Sequence, residues 1–130
     1  MPHHFEFNHE HKILLTVLEG EIEGPEIYTI DKAMRERIKR MQPAAGISDL
    51  SRVTTFNVPS HVMRDAAQGP PPFPENVPRF IVAASDLVYG MNRMYQTLAD
   101  RPRGRLKVVR RIEEAFADLG IEKVEFERIE

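Results

Sequence analysis

The sequence predicts an α/β domain: one mixed β-sheet covered by helices, with the element order β-β-α-β-α-β-α-β-α-β. Three observations carry that prediction. The dense run Lys12–Glu19 (KILLTVLE) has the Ile/Leu/Val content of a strand covered on both faces. Segments with apolar residues every three or four positions alternate with short apolar runs, the pattern of helices laid over a sheet. The 130 residues contain no internal repeat and suit one domain (1–130), which can bury about two-thirds of its unfolded surface without metal or disulfide staples.

The elements follow in order. Phe5–Phe7 and Lys12–Glu19 are two extended segments, and the polar Asn8-His9-Glu10-His11 between them predicts a hairpin. Gly24-Pro25 opens a helix, with Pro at the first helical position, where its missing N–H costs nothing. Ile27, Ile30, Met34, Ile38 and Met41 form its apolar stripe, and Pro43 stops it. Ile47–Phe56 is a strand, and Pro59–Gln68 a short helix. Pro70, Pro71, Pro72, Pro74 and Pro78 make Gly69–Pro78 an ordered or polyproline-like crossing loop.

Arg79–Ala84 is a short apolar strand, and Ser85 a natural N-cap for the next helix. Leu87, Met91, Met94 and Leu98 form the expected stripe of that helix, with Val88 and Tyr95 beside it. Arg105–Val109 is a further strand. Arg111–Leu119 is a helix turning Ile112, Ala115, Phe116 and Leu119 inward, ended by Gly120 as a left-handed cap. Glu122–Arg128 alternates strictly, with Val124 and Phe126 on one face, as a half-buried strand does. Residues 12–120 are thus the core, and 1–11 and 121–130 supply peripheral strands.

Composition removes several function classes. With no cysteine, disulfides, thiolate nucleophiles and Cys-ligated metals are excluded. No apolar run approaches the ~20 residues of a membrane helix, and the N-terminal segment lacks the blocks of a signal peptide. A soluble, cytoplasmic protein is expected. The formal charge of −2 offers no whole-molecule field for nucleic acid or anionic lipid.

The segment Asp49-Leu50-Ser51-Arg52-Val53-Thr54-Thr55-Phe56-Asn57 resembles the third strand of STAS domains (sulfate transporter and anti-sigma factor antagonist), where D-L-S-G-V leads toward D-S-S-G at a helix N-terminus. Ala84-Ser85-Asp86-Leu87-Val88-Tyr89-Gly90-Met91-Asn92-Arg93-Met94-Tyr95 is similar to a segment of a small bacterial SpoIIAA-like group with the pattern S-D-x-x-Y-G-x-x-R-M-Y. The resemblance covers about residues 12–120 and implies a STAS-like fold and a regulatory, protein-binding role. It departs at one point. The serine phosphorylated in anti-sigma antagonists falls on Val58 here, and only a register shift brings Ser60 into its place.

The candidate site residues lie where strands end. Asp49, Ser51, Asn57, Ser60 and His61 sit at or beyond the end of one parallel strand, and Ser85 and Asp86 beyond another. Ligands bind outside the carboxyl ends of strands in open α/β sheets, and helix N-termini there attract anions. Helix capping by Asn57 and Ser85 is the plain alternative. Tyr89 and Arg93, four apart, share a helix face and are candidates to border a groove, with a surface pair packed beside the sheet as the plain alternative. His9 and His11 would share a strand face, but a solvated, frayed His-rich end is expected over a metal site. Arg101–Arg111 carries six basic residues without interleaved aromatics, and Glu113, Glu114, Asp118 and Glu122 follow to neutralise it.

No catalytic motif is present: no G-x-S-x-G, no P-loop, no H-E-x-x-H, no G-x-G-x-x-G. The expectation is a non-enzymatic interaction module with an unknown protein partner, no cofactor and no metal, acting as a homodimer, with neither nucleic acid nor membrane as partner. The alternative is a carrier or sensor of a small or lipid-like ligand, with a pocket at the strand ends gated by the proline-rich loop. A hydrolase or transferase using the strand-end crevice ranks third.

Overall fold

The computed structural model describes residues 2–99 and 105–130. Its elements run in the predicted order: β1 (His3–Asn8), β2 (Ile13–Glu23), α1 (Gly24–Met41), β3 (Ala45–Asn57), α2 (Ser60–Gln68), β4 (Arg79–Val82), α3 (Asp86–Ala99), β5 (Leu106–Val109), α4 (Ile112–Leu119) and β6 (Glu127–Ile129). The six strands form one mixed sheet in the order β5-β4-β3-β2-β1-β6. β2 through β5 are parallel, while β1 runs antiparallel to both β2 and β6. No described helix is long and apolar enough to cross a membrane.

Each parallel crossover steps one strand further in the same direction, so the right-handed rule puts α1, α2 and α3 on one face. Side-chain alternation agrees. Ile13, Leu15 and Val17 of β2 pack with Ile47, Phe80 and Val82 under Ala115 and Phe116 of α4. Leu18, Ile81 and Val108 point the other way, against Ile30, Met63, Val88 and Tyr95 from α1–α3. Burying each such side chain is worth about 1.5–3 kcal/mol.

The stripe expected on α1 is the stripe observed: Ile30, Met34 and Ile38 are buried, with Ile27 and Met41 packed at its ends. Glu26 Oε1 accepts the Glu23 N–H at 2.8 Å to start the helix. Gln42, left-handed at φ 47°, ends it just before Pro43. Gly120, with φ 72°, caps α4 in the same region of backbone space.

Three expectations are corrected. The N-terminal histidine segment is no frayed end: His3 and His4 belong to β1 and pair with Leu18 and Val17. His9 and His11 lie in the turn after β1, so they share no strand face. On α3, Leu87 is 63% exposed, and the buried line passes through Val88, Asn92 and Tyr95. A polar side chain holds the central position because Asn92 Nδ2 donates to the Val88 carbonyl at 2.8 Å, satisfying the amide within its own helix.

The third correction concerns the C-terminal segment. Only Glu127–Ile129 joins the sheet, with Phe5 opposite Ile129 and Phe7 opposite Glu127. Val124 and Phe126 do turn inward, but they cover the α4 cluster. The Phe126 ring stacks on Phe116 with centroids 6.2 Å apart, and Asn8 Nδ2 anchors the segment by donating to the Glu125 carbonyl at 2.8 Å.

The proline-rich loop contains neither helix nor strand and drives Phe73 into the core beside Met34 and Ile38. Its ring lies directly on Gly46 of β3, where any Cβ would overlap it. We predict that Gly46→Ala costs about 1–3 kcal/mol through overpacking, and that adding Phe73→Leu recovers part of the loss. An unchanged melting temperature for Gly46→Ala would show that the ring sits elsewhere.

Candidate functional site

Ser85, Asp86, Tyr89 and Arg93 come together at the carboxyl ends of β4 and β5. Ser85 Oγ accepts the Val88 N–H at 3.2 Å, so this residue caps α3 as expected. Asp86 Oδ1 accepts from Arg110 Nη1 at 2.9 Å, and the same Nη1 donates to the Ala84 carbonyl at 3.2 Å. The Arg110 guanidinium stands 4.0 Å from the centroid of the Tyr89 ring, and Arg93 Nη1 donates to the Tyr89 hydroxyl at 3.4 Å. Arg110 is the member that sequence reasoning missed. Pairing of Val82 with Val109 brings it there, and local spacing carries no sign of that contact. Each charge in the cluster already has a partner.

The β3 group is arranged differently. Asp49 Oδ1 accepts the Ser51 N–H at 2.9 Å. That amide lies in a β-bulge, because Val17 faces Asp49 while Glu19 faces Arg52. A second register shift separates Gly20–Val53 from Glu21–Thr55. β4 pairs with Gly46–Asp49 of β3, so among the described residues β3 beyond Asp49 has a strand on one side alone, that of β2. Ser51, Arg52, Thr54 and Thr55 are exposed there. Arg52 Nη1 donates to Glu19 Oε1 at 2.9 Å, a hydrogen bond that raises the guanidinium pKa further.

Asn57 does not cap α2. Its Nδ2 donates to Glu23 Oε2 at 3.1 Å, and Pro59 occupies the N-cap position without a side-chain cap. Ser60 and His61 are exposed in the first turn of α2, while Val58 is only 5% exposed within the core. Eight residues of strand at ~3.3 Å each separate Asp49 from Asn57, about 26 Å of contour. Asp49 and Ser51 thus lie at one end of the β3 extension, and Asn57, with Ser60 and His61 after it, at the other. Among the described residues, His61 makes neither a hydrogen bond nor an ion pair with Asp49.

A cavity of about 360 Å³ opens at the other end of the sheet, where β4 and β5 begin. Pro71, Pro72, Phe73 and Pro74 of the crossing loop wall it, with Arg79, Tyr95 and Arg105. None of the nine candidates lines it.

Several other charged side chains pair locally. His4 Nε2 lies 2.7 Å from Glu6 Oε2, and His9 Nε2 3.6 Å from Glu127 Oε2. No group of three or more His, Cys, Asp or Glu among the described residues is placed to hold a metal ion. Of the basic segment 101–111, residues 101–104 lie outside the described residues. Lys107 Nζ pairs with Asp118 Oδ1 at 2.6 Å, and Glu114 Oε2 accepts the Arg110 N–H at 3.1 Å. In comparisons with known proteins, no family model and no curated protein matches the chain.

Two predictions arise. Ser85→Ala should cost ~1 kcal/mol by removing the α3 cap, measured by chemical denaturation; no loss would mean that the hydroxyl is dispensable. Burial pushes the His3 imidazole below its ordinary value of 6.5, with Arg37 adding to the shift and Glu26 opposing it. A depressed pKa means the folded state favours neutral His3, so its contribution is intact above 6.5 and is lost as pH falls through the folded value. The melting temperature should therefore drop on acidification from neutrality, and drop less in His3→Leu. Parallel pH profiles for the two proteins would refute this.

Proposed function

We propose that the chain is a non-enzymatic, cytoplasmic interaction module of STAS-like architecture that associates with a second copy of itself through the open edge of β3. One observation carries the reading: beyond Asp49, β3 runs on to Asn57 with no strand among the described residues on its β4 side. Open strand edges template pairing with another chain. The outer strands of this sheet carry features that discourage such pairing. β5 has four residues and includes the exposed Lys107, while β6 has three and includes the charged Glu127 and Arg128.

The β3 extension is longer than either and carries a single charged side chain, Arg52. Ser51–Asn57 contains no proline and is rich in β-branched residues, as strand pairing favours. Its one charge, Arg52, is already matched by Glu19, so two copies can meet across a twofold axis without an unpaired like charge. The resemblance of Asp49–Asn57 to the STAS third strand supports a protein-binding role for the same segment. The buried Val58 argues against a phosphorylation switch at the position the family uses.

We predict a dimer at tens of micromolar, roughly the range of weak protein–protein association, by light scattering. Thr54→Lys with Thr55→Lys, two exposed positions, imitates the protection of natural edges and should give a monomer of unchanged melting temperature. A monomeric parent protein, or a dimer indifferent to the two lysines, would dispose of the proposal.

A further inference from the structure

The cavity beneath the proline-rich loop has an unusual floor. Arg79, at the start of β4, is half-buried, and its Nη1 donates to the Tyr95 hydroxyl at 3.0 Å. Its guanidinium lies 5.9 Å from the Phe73 ring centroid and 5.6 Å from that of Tyr95. Nε is buried without an acceptor. Among the described residues, no carboxylate comes within ion-pairing distance of this cation, unlike Arg52, Arg35 and Arg110. Removing a cation from water is costly unless an anion or full hydrogen bonding compensates.

The surroundings specify the complement. The lining combines prolines, alanines, Phe73, Val77 and Leu106 with Arg79, Arg105 and the Tyr95 hydroxyl, against Glu75 as the single acid among the described residues. Arg105 is exposed and adds a second cation, with Nη1 donating to the Asn76 carbonyl at 3.3 Å. At about 360 Å³ the space falls in the range of small-ligand sites. Prolines give the wall little conformational freedom to lose on binding.

We propose that this cavity binds a small monocarboxylate with an apolar body, its carboxylate pairing with Arg79 and Tyr95 and its body lying against Phe73 and the loop prolines. The guanidinium supplies charge-assisted hydrogen bonds, and the rings and prolines accept apolar area without competing polar groups. The site lies at the amino ends of β4 and β5, apart from the open edge of β3, and is independent of self-association.

The test is calorimetric titration of the full chain with 1-naphthoate, indole-3-acetate and octanoate, each beside its neutral alcohol counterpart. At least one acid should bind about tenfold or more tightly than its alcohol, and the Arg79 Nε–H resonance should move on titration. Arg79→Met should erase that preference and Arg79→Lys retain part of it. Because Arg79 also packs on two rings, a second variant protects the test: Ala66→Phe fills the cavity from α2, leaves Arg79 in place and should abolish binding. The proposal is overturned if no acid binds up to about 10 mM, or if acid and alcohol bind equally. It is overturned equally if the preference survives Arg79→Met or binding survives Ala66→Phe.

Discussion

Every residue from Ile13 to Leu18 of β2 is buried, and the layering of the molecule follows from covering both faces of that strand. One face receives α1, α2 and α3, because three right-handed crossovers deliver them there without choice. The other receives only α4, eight residues long, too short to shield five or six strands. The C-terminal segment makes up the difference. From β4, over which α4 packs, to β6 is four strand spacings of ~4.8 Å, about 19 Å. Residues 121–126, fully extended at ~3.3 Å each, span about 20 Å. The segment is therefore nearly taut, and Val124 and Phe126 face the sheet because an extended chain crossing it must alternate.

The two ends of the sheet are finished by different means. At the amino ends of β4 and β5 the long loop after α2 folds back and inserts Phe73 over Gly46, a contact that only glycine allows. The loop closes that end and leaves an apolar hollow behind it. At the carboxyl ends no such loop is found among the described residues. β2 and β3 continue together as a parallel ribbon, with two register shifts in β3. The Asp49 carboxylate takes up the Ser51 amide in the first bulge, so a residue read as a ligand candidate helps to shape the backbone. The general rule for open α/β sheets directs attention to the carboxyl ends, yet the cavity walled by the proline-rich loop lies at the opposite end.

The fold was legible in the sequence wherever a signal is local. The α1 stripe needs only a 3.6-residue period, Gly120 only a left-handed position, Ser85 only a hydroxyl before a helix. Signals failed where the deciding partner is remote. Asn92 is buried because it bonds its own helix, which apolar counting scores as solvent-facing, and Leu87 was turned inward in its stead. Glu122–Arg128 has true strand alternation, but a ladder needs a neighbour, and β1 reaches only the last part. Of the candidate site, capping by Ser85 and the Tyr89–Arg93 contact were readable from spacing. Arg110 over Tyr89 depends on which strands lie side by side, and the Arg79 cavity depends on a loop whose prolines say where it cannot be regular but not where it folds.

The guanidinium groups make a final comparison possible. Arg37 stands 4.5 Å from the centroid of the Phe5 ring, Arg110 4.0 Å from that of Tyr89, and Arg79 lies near both Phe73 and Tyr95. An aromatic face lets a half-buried cation give up water at lower cost than an aliphatic one, by roughly 0.5–2 kcal/mol. The first two also have acids: Glu36 lies 3.7 Å from Arg37 and Asp86 2.9 Å from Arg110. Scarcity of acids does not explain the difference at Arg79, since the chain has 20 carboxylate residues to 18 lysines and arginines. The exception coincides with the one of these three guanidiniums that lines the 360 Å³ cavity. Elsewhere the aromatic contact supplements an ion pair; at Arg79 it stands alone beside an open volume. An anion entering that volume would complete at Arg79 the arrangement of ring and carboxylate that the protein already builds for Arg37 and Arg110.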